Sequence, residues 1–336
     1  MEVPAQPTGI GHGEPLLEVA DLTKRFDDVT AVDGISFTVD RGEIFGFLGP
    51  NGAGKTTTIT ILTGLSRPDS GTVKVAGLDC TDDPKAAQHM IGIVPDESNL
   101  YPELSGYDNL CFCAALYGIR KRERSERARR LLADFDLQDA AGRKFGGYSK
   151  GMKRKLTIAA GIIHHPQILF LDEPTTGIDV ASARRIRQLI SDLNSRGTTI
   201  FLTTHYIEEA ERLCGRIAFI VKGSIVRTDT VGNLMRHAHG RNVVQFEFSG
   251  EAGRACALIG REFPDLICGT VPEGIRVESP RPVRVGPLVR LLEDGGIEVT
   301  EARKILPSLE DVFVEITGIE AGAMKQEKER SGGGAR

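Results

Sequence analysis

The chain has 336 residues, which is long enough for two domains. Its formal net charge of −4 and isoelectric point near 6.0 lack the basic excess with which nucleic-acid-binding proteins displace phosphate counterions, so no nucleic-acid partner is expected. No apolar run reaches the roughly 18 residues that a membrane-spanning helix needs, so the sequence predicts no membrane span.

The N-terminus and the cysteines add two expectations. Residues 1–15 have no apolar core and are predicted to be a flexible tail and not a signal peptide, which favours a cytoplasmic protein. The six cysteines include no CxxC pair, and Cys111 and Cys113 fall on different faces of a predicted helix. We therefore expect reduced cysteines, with neither a disulfide nor a zinc site.

The strongest local pattern is a glycine-rich loop between a predicted strand, Ile44 to Leu48, and a predicted helix, Thr56 to Leu62. Its sequence GPNGAGKT matches G-x-x-x-x-G-K-[ST] at every fixed position. The glycines let backbone amides surround a phosphate at the start of a helix. Lys55 is expected to reach the β- and γ-phosphates, and the Thr56 hydroxyl to ligand Mg²⁺. The residues predicted to bind ATP are Gly49, Pro50, Asn51, Gly52, Ala53, Gly54, Lys55, Thr56 and Thr57.

A long helical segment follows the loop. Residues 107–163 have a helical pattern with few strand signals, and they include the glycine-rich turn GYSKGMKRKL at 147–156. Residues 118–134 carry seven basic and three acidic residues on a predicted amphipathic helix. Two interpretations of that helix stay open: a solvated face with internal charge pairs, or attraction to lipid head groups.

Two further predicted strands end in candidate catalytic groups. The run ILFLDE is a predicted buried strand that ends in two acids, of which Asp172 suits the Mg²⁺ shell and Glu173 a general base for the attacking water. Thr199 to Thr204 is another predicted strand, and His205 follows it. Because open α/β sheets bind ligands at the carboxyl ends of their strands, we expect His205 to contact the γ-phosphate.

The pattern changes in the C-terminal part. After a predicted hairpin that turns at Lys222 and Gly223, residues 237–241 are predicted to be a linker. Residues 242–318 have strand and helix patterns in the order βαββαβ, which predicts a small ferredoxin-like α+β domain. Whether it braces a dimer or senses a ligand or partner stays open. Residues 319–336 are charged and glycine-rich and are predicted to be disordered.

These ordered motifs resemble the ATP-binding subunit of an ABC transporter, over about Leu17 to Asn233. The ending LPSLEDVFVEITG resembles the drug-resistance (daunorubicin-type) branch of export ATPases. The resemblance implies an α/β P-loop NTPase fold over residues 16–236, with a helical subdomain at about 97–163. It also implies that the protein uses ATP and Mg²⁺.

The resemblance assigns further residues. YSKGM matches the family signature, which contacts the nucleotide of a second subunit in a head-to-tail dimer, and its residues are Ser149, Lys150, Gly151 and Met152. Phe26 resembles the aromatic that stacks on adenine, the alternative being a core phenylalanine. Asp179 matches the loop that touches the partner subunit. Asp96 stands where the family has a glutamine that contacts Mg²⁺; it is a candidate metal ligand that is one methylene shorter and brings negative charge close to the γ-phosphate.

The predicted function is ATP hydrolysis by one subunit of an export transporter. Dimerisation driven by ATP, as a homodimer or with a related ATPase, would power a separate polytopic permease. Such a subunit lies on the cytoplasmic face of the cell membrane, with Glu97 to Leu110 toward the permease. The alternative is a soluble ABC-type ATPase that regulates a nucleic-acid or ribosomal process. A module that has lost catalysis is a third interpretation, which Asp96 supports and an intact Glu173 and His205 oppose.

Overall fold

The computed structural model describes residues 15–81, 83–239, 242–272, 274–305 and 308–319. The two predicted tails lie outside these ranges except for Pro15 and Ile319. Contacts within the chain define two compact units: the described part of the first ends at Asp229, and the second runs from Thr230 to Ile319. This division comes before residue 236, where the sequence predicts the end of the ATP-binding domain.

The first unit contains two β-sheets and the helices between their strands. Its first elements are β1 (Pro15–Phe26), β2 (Val29–Asp40), β3 (Ile44–Leu48), α1 (Lys55–Leu62), β4 (Ser70–Val75), β5 (Leu78–Asp79), α2 (Pro84–Gln88) and β6 (Ile91–Val94). They are followed by α3 (Gly106–Leu116), α4 (Lys121–Asp134), α5 (Lys150–Ile162), β7 (Ile168–Asp172), α6 (Val180–Ser195), β8 (Thr199–Thr204), α7 (Ile207–Leu213), β9 (Arg216–Val221) and β10 (Ser224–Thr230). The smaller sheet is antiparallel, in the order β2-β1-β4-β5.

The larger sheet determines where the functional motifs meet. Its order is β10-β9-β3-β8-β7-β6, and β9, β3, β8, β7 and β6 are parallel. The predicted strands β3, β7 and β8 are confirmed and are buried along their whole length, as is usual for parallel strands covered on both faces. Leu48 pairs with Thr204, and Asp172 pairs with Thr203. The loops that follow these three strands therefore lie side by side.

Aromatic packing supports this sheet. Five buried phenylalanines form a cluster in which neighbouring ring centroids lie 5.4 to 5.9 Å apart: Phe37, Phe45, Phe47, Phe170 and Phe201. Each aromatic pair adds about 0.5–1.5 kcal/mol beyond the burial of its apolar area. The cluster contains residues of β3, β7 and β8, so it helps to fix the strands whose ends form the site.

The predicted helical segment is also confirmed. Among the described residues, 97–163 contain α3, α4, α5 and two short 3₁₀ turns, with no strand. Ala128 and Leu132 of α4 are buried, whereas its charged face carries ion pairs between residues four apart: Arg122–Glu126, Arg127–Glu123 and Arg130–Asp134. These pairs favour the interpretation of α4 as a solvated face.

The second unit is a four-stranded antiparallel sheet with helices. Its elements are α8 (Val231–His239), β11 (Asn242–Phe248), α9 (Ala252–Glu262), β12 (Ile267–Val271), β13 (Gly274–Ser279), α10 (Val285–Asp294), β14 (Val299–Ile305) and α11 (Leu309–Thr317). The order from β11 to β14 is the predicted βαββαβ, and the sheet order is β12-β13-β11-β14. Its core packs strand residues such as Val244 and Phe246 against Ile259 and Leu288 of α9 and α10. No helix in the described ranges has the length and apolarity to cross a membrane.

Two helices of this unit differ from the sequence prediction. The predicted linker at 237–241 overlaps α8, which continues to His239, and α8 packs against α11. Leu234 of α8 is buried by tertiary packing, which the polar local sequence does not indicate. α11 has a recognisable local signal, since Ser308 and Asp311 form a capping box at its start.

The expectation of no disulfide is wrong. Cys256 of α9 and Cys268 of β12 form a disulfide, with their Cα atoms 5.5 Å apart. The two residues are separated by 12 positions, so a search for closely spaced cysteine pairs misses them. Packing of α9 on β12 brings them together. The other cysteines, Cys80, Cys111, Cys113 and Cys214, carry free thiols as expected.

Candidate functional site

The glycine-rich loop joins β3 to α1 in a conformation that needs glycine. Gly52 and Gly54 have φ angles of 75° and 103°, in the left-handed region that glycine adopts readily. A Cβ atom on Gly49 would lie 2.2 Å from the backbone oxygen of Ile220, and one on Gly54 would lie 2.3 Å from that of Ala31. These two positions are therefore closed to larger residues. The loop leads directly into the N-terminus of α1, which favours anions.

Lys55 lies buried at the start of α1. Its Nζ donates hydrogen bonds to the backbone oxygens of Gly49 (2.7 Å) and Pro50 (3.0 Å). The same ammonium lies 3.5 Å from Oε1 of Glu173. Two residues far apart in sequence, one cationic and one anionic, thus share one buried site.

Thr56 and Asp172 form an oxygen-rich pair beside this lysine. The Thr56 hydroxyl donates to Oδ2 of Asp172 over 3.1 Å, and Thr203 donates to the other carboxylate oxygen. Burial raises the pKa of Asp172, and the two hydroxyls partly offset the rise. Hydroxyl and carboxylate oxygens are the donors that Mg²⁺ prefers, usually with one or two carboxylates plus substrate phosphates. The oxygens of Thr56 and Asp172 fit Mg²⁺ on these terms.

Glu173 is held in a fixed position by its neighbours. Its φ of 50° lies in the left-handed region, a conformation that costs a non-glycine residue about 1 kcal/mol or more. Nδ1 of His205 lies 2.7 Å from Oε2 of Glu173, and the Thr176 hydroxyl donates to the same oxygen over 3.0 Å. Burial raises the pKa of Glu173, but the hydrogen bond with His205 and the Lys55 charge outweigh it, so the pKa lies below its ordinary value. The side chain is an ionised carboxylate that could accept a proton from water.

Lys55, Thr56 and Glu173 line a cavity of about 470 Å³, within the range of small-molecule sites, whereas Asp172 and His205 are not among its lining residues. The predicted residues on its wall are Asn51, Gly52, Gly54, Lys55, Thr56, Thr57, Asp96 and Glu173. Residues 29–31 and Lys222 also line it, and sequence reasoning missed them. Lys222 was recognised only as part of a hairpin turn, although that turn lies against the loop: the Gly223 amide donates to the Ala53 oxygen over 3.0 Å.

Phe26 is not a core residue. Its side chain is 51% exposed at the end of β1, and it pairs across the hairpin with Val29, which lines the cavity. The Lys24 ammonium lies 5.4 Å from its ring centroid. A core phenylalanine would be buried, so this exposure contradicts the alternative interpretation of Phe26.

The signature residues lie at the N-terminus of α5 and do not line the nucleotide cavity. Ser149 caps α5, because its hydroxyl accepts a hydrogen bond from the Met152 amide over 3.3 Å. A Cβ atom on Gly151 would lie 2.7 Å from the Ser182 hydroxyl, so this glycine permits close packing of α5 on α6. Asp179 caps α6 by accepting from the Ser182 amide over 2.9 Å, a hydrogen bond that lowers the pKa of the exposed carboxyl.

Asp96 follows β6 and is about one-third exposed. Its carboxylate lies 3.5 Å from Nη2 of Arg154, a buried arginine of α5. Arg154 was not predicted as a functional residue, because the sequence KGMKRKL gives no indication that this cation alone points inward.

Comparison with known proteins identifies the family. The family model described as ABC transporter matches residues 32–176. The fluoroquinolones export ATP-binding protein of Mycobacterium tuberculosis (strain CDC 1551 / Oshkosh) is 39% identical over 308 residues, which cover 91% of this chain and 94% of the relative. The chain belongs to the ABC transporter family. Another relative is the daunorubicin resistance ATP-binding protein DrrA3 of Streptomyces coeruleorubidus, 36% identical over 307 residues, with coverage of 90% and 96%.

Solved structures agree with this assignment to the ABC family. The structure of an ATP-binding subunit of an ABC transporter is 31% identical with a TM-score of 0.60, and the match covers 66% of this chain and 92% of that one. A dimeric post-hydrolysis ATP-binding cassette bound to ADP and Pi is 26% identical with a TM-score of 0.59, covering 64% and 98%. The protein is therefore an ABC ATPase with a P-loop NTPase fold, and ATP is its substrate.

Proposed function

We propose that this ABC ATPase powers an export transporter by working with a separate membrane permease. The observation that carries the proposal is the set of polar and charged side chains at one edge of the larger sheet, which supplies the groups that ATP hydrolysis needs: Lys55, Thr56, Asp172, Glu173 and His205. The export assignment is supported by the relatives, whose names describe drug resistance or export ATP-binding proteins. Such a subunit would be peripheral, on the cytoplasmic face of the cell membrane.

Each residue contributes one step to the proposed mechanism. Lys55 and the backbone N–H groups of residues 51–56 hold the phosphates of ATP. Glu173 accepts a proton from the attacking water, and His205 orients Glu173 and contacts the γ-phosphate. Thr56 and Asp172 would hold Mg²⁺, which neutralises charge on the phosphates when bound.

A second subunit would complete the site. Ser149, Lys150, Gly151 and Met152 lie outside the nucleotide cavity of their own chain, so they are available to contact the γ-phosphate of ATP held by another copy. The start of α5 is suited to this role, since a helix N-terminus attracts anions. We propose that two copies of this chain form this arrangement as a homodimer, with Asp179 at the interface. The alternative is a heterodimer with a related ATPase.

We assign the stacking contact with the adenine of ATP to Phe26. Replacing Phe26 with alanine is expected to raise KM for ATP by about tenfold, because stacking of a base on an aromatic ring contributes about 1–3 kcal/mol, while kcat stays close to that of the wild type. Steady-state ATPase kinetics measure both constants. Phe26→Tyr keeps the ring and is the matched control. An unchanged KM in Phe26→Ala would contradict this assignment.

The surface proposed to face the permease is the segment Glu97 to Leu110. Tyr101 is 52% exposed at the centre of this segment and contacts the ring edge of partly exposed Phe112, with centroids 5.1 Å apart. Exposed aromatic residues are enriched at protein interfaces.

Co-purification tests the proposed function. Tagged Glu173→Gln protein is purified from gently solubilised native membranes with Mg·ATP, and stoichiometric partners are identified by mass spectrometry. We expect a polytopic membrane protein that is lost in Tyr101→Ser with Phe112→Ser. The control is Arg122→Ser with Glu126→Ser, an exposed pair on α4. Recovery from the soluble fraction alone, or with ribosomes, would overturn the transporter assignment.

A further inference from the structure

Arg154 joins three segments that are far apart in the sequence. It is a buried residue of α5, the helix that starts with the signature. Its Nη1 donates to the backbone oxygen of Pro95 over 2.6 Å, and its Nη2 donates to those of Asp96 over 2.7 Å and Glu173 over 3.3 Å. One guanidinium thus contacts the main chain after β6 and the main chain after β7.

Asp96 has a charged partner inside the protein in Arg154. The carboxylate oxygen Oδ1 lies 3.5 Å from Nη2, in addition to the bond between Nη2 and the Asp96 backbone oxygen. Pairing with a guanidinium holds a carboxylate in one place and occupies one of its oxygens. Asp96 also lines the nucleotide cavity, so this ion pair borders the region where phosphates are expected.

The surroundings of Arg154 suit a fixed cation. Burial lowers the pKa of Arg154, and four carboxylates counter the effect: Asp96, Asp172, Glu209 and Glu173. An arginine stays charged even so, and its planar fork can donate in several directions at once. A lysine at this position would offer a single point charge and could not reach all three backbone oxygens in the same way.

We infer that Arg154 is a positioning residue that couples the signature helix to the main chain of Glu173 and to the Asp96 segment, with Asp96 serving as its ion-pair partner instead of as an Mg²⁺ ligand. When α5 moves as the signature binds ATP of another copy, the backbone oxygens held by Arg154 move with it. Glu173 is thereby brought to its working position, and the start of the permease-facing segment shifts together with it. The inference rests on the proposed roles of Glu173 and of the signature.

The first test uses Arg154→Lys, which keeps the charge and loses the fork. We expect kcat for ATP hydrolysis to fall by between about tenfold and 100-fold, because misplacement of a reacting group by about 1 Å has effects of that size. KM for ATP stays within about twofold, since no phosphate-loop contact is touched. The matched control is Arg127→Lys on α4, where the arginine also donates to a backbone oxygen, that of Ile163 just after α5, and pairs with Glu123. The control should leave both constants unchanged, and an equal loss in both variants would overturn the inference.

The second test separates the two roles of Asp96. Asp96→Asn removes the ion pair and is expected to lower kcat by about fivefold, and by less when it is added to Arg154→Lys, where the fork that holds the carboxylate is already lost. The half-saturating Mg²⁺ concentration should stay within about twofold of the wild type. Loss of a metal ligand would instead raise it by tenfold or more, in both backgrounds, and this result would overturn the inference. If Arg154→Lys does not fold, the Mg²⁺ titration of Asp96→Asn decides alone.

A third measurement tests, without ATP hydrolysis, whether Arg154 couples α5 to the Asp96 segment. In a Glu173→Gln background, amide hydrogen exchange of residues 96–98 is followed with and without Mg·ATP. We expect ATP to slow exchange there when Arg154 is present and to have less effect in Arg154→Lys; an equal effect of ATP in both proteins would contradict the coupling. Hydrolysis by Glu173→Gln alone at a near-normal rate would overturn the proposed function, whatever these exchange rates show.

Discussion

Glu173→Gln is expected to lower kcat for ATP hydrolysis by about 10³-fold, the middle of the range for loss of a general base. Glutamine has nearly the same shape, so its amide oxygen can keep the contact with His205 that the carboxylate makes at 2.7 Å. It cannot accept a proton from water, whereas Glu173, whose pKa lies below its ordinary value, is an ionised carboxylate that can. ATP affinity should change little, because the loop amides and Lys55 remain.

Phosphate release and equilibrium binding of ATP measure these two effects separately. The matched control is Glu208→Gln on α7, the helix that follows His205. Glu208 is exposed and pairs with Arg212, so its loss should leave kcat unchanged. With hydrolysis blocked, Mg·ATP should also convert the protein to a dimer in sedimentation experiments. Turnover within about tenfold of the wild type would show that Glu173 is not the base.

The sequence predicts the parts of this site that local chemistry determines. The loop Gly49 to Thr56 matches a motif whose every fixed position has a steric or electrostatic reason, and Gly49 and Gly54 leave no room for a Cβ atom. The buried strands before Glu173 and His205 are short, largely apolar runs. The second ends at Thr204 as predicted, and the first ends at Asp172, one residue before the predicted end. The carboxyl ends of parallel strands then bring these groups together, as Asp172 opposite Thr203 illustrates.

What the sequence does not predict depends on tertiary packing. Arg154 stands among three lysines in KGMKRKL with no local sign that it points inward, and only the fold brings it to the backbone of Glu173. Cys256 and Cys268 meet because α9 lies on β12. Helix α8 occupies most of a segment predicted as a linker, since its partner α11 is remote in sequence. In each case the contact that determines the structure joins residues too far apart in sequence for local periodicity or motifs to indicate it.

Lys55→Met is expected to weaken ATP binding by about tenfold to 100-fold, because hydrogen bonds to charged groups contribute about 1.5–3 kcal/mol. It should also destabilise the protein without ATP, since Lys55 is the cation 3.5 Å from the buried Glu173 carboxylate. Removing one partner of a buried pair costs up to about 3–5 kcal/mol, and His205 and Thr176 reduce that cost here. Isothermal titration with ATP and chemical unfolding measure the two effects.

The double variant Lys55→Met with Glu173→Gln separates the role of the lysine in phosphate binding from its role in the ion pair. Removing both charges should restore most of the lost stability but none of the ATP affinity. The pH dependence gives an independent check: the pKa of Glu173 lies below its ordinary value, so its ion pair stabilises the fold above the ordinary glutamate range, and this contribution is lost as the pH falls through the folded pKa. The destabilisation of Lys55→Met should therefore be largest near neutral pH and shrink on acidification. A loss of stability that is the same at every pH, or that the second substitution does not relieve, would mean that the lysine supports the loop through Gly49 and Pro50 alone.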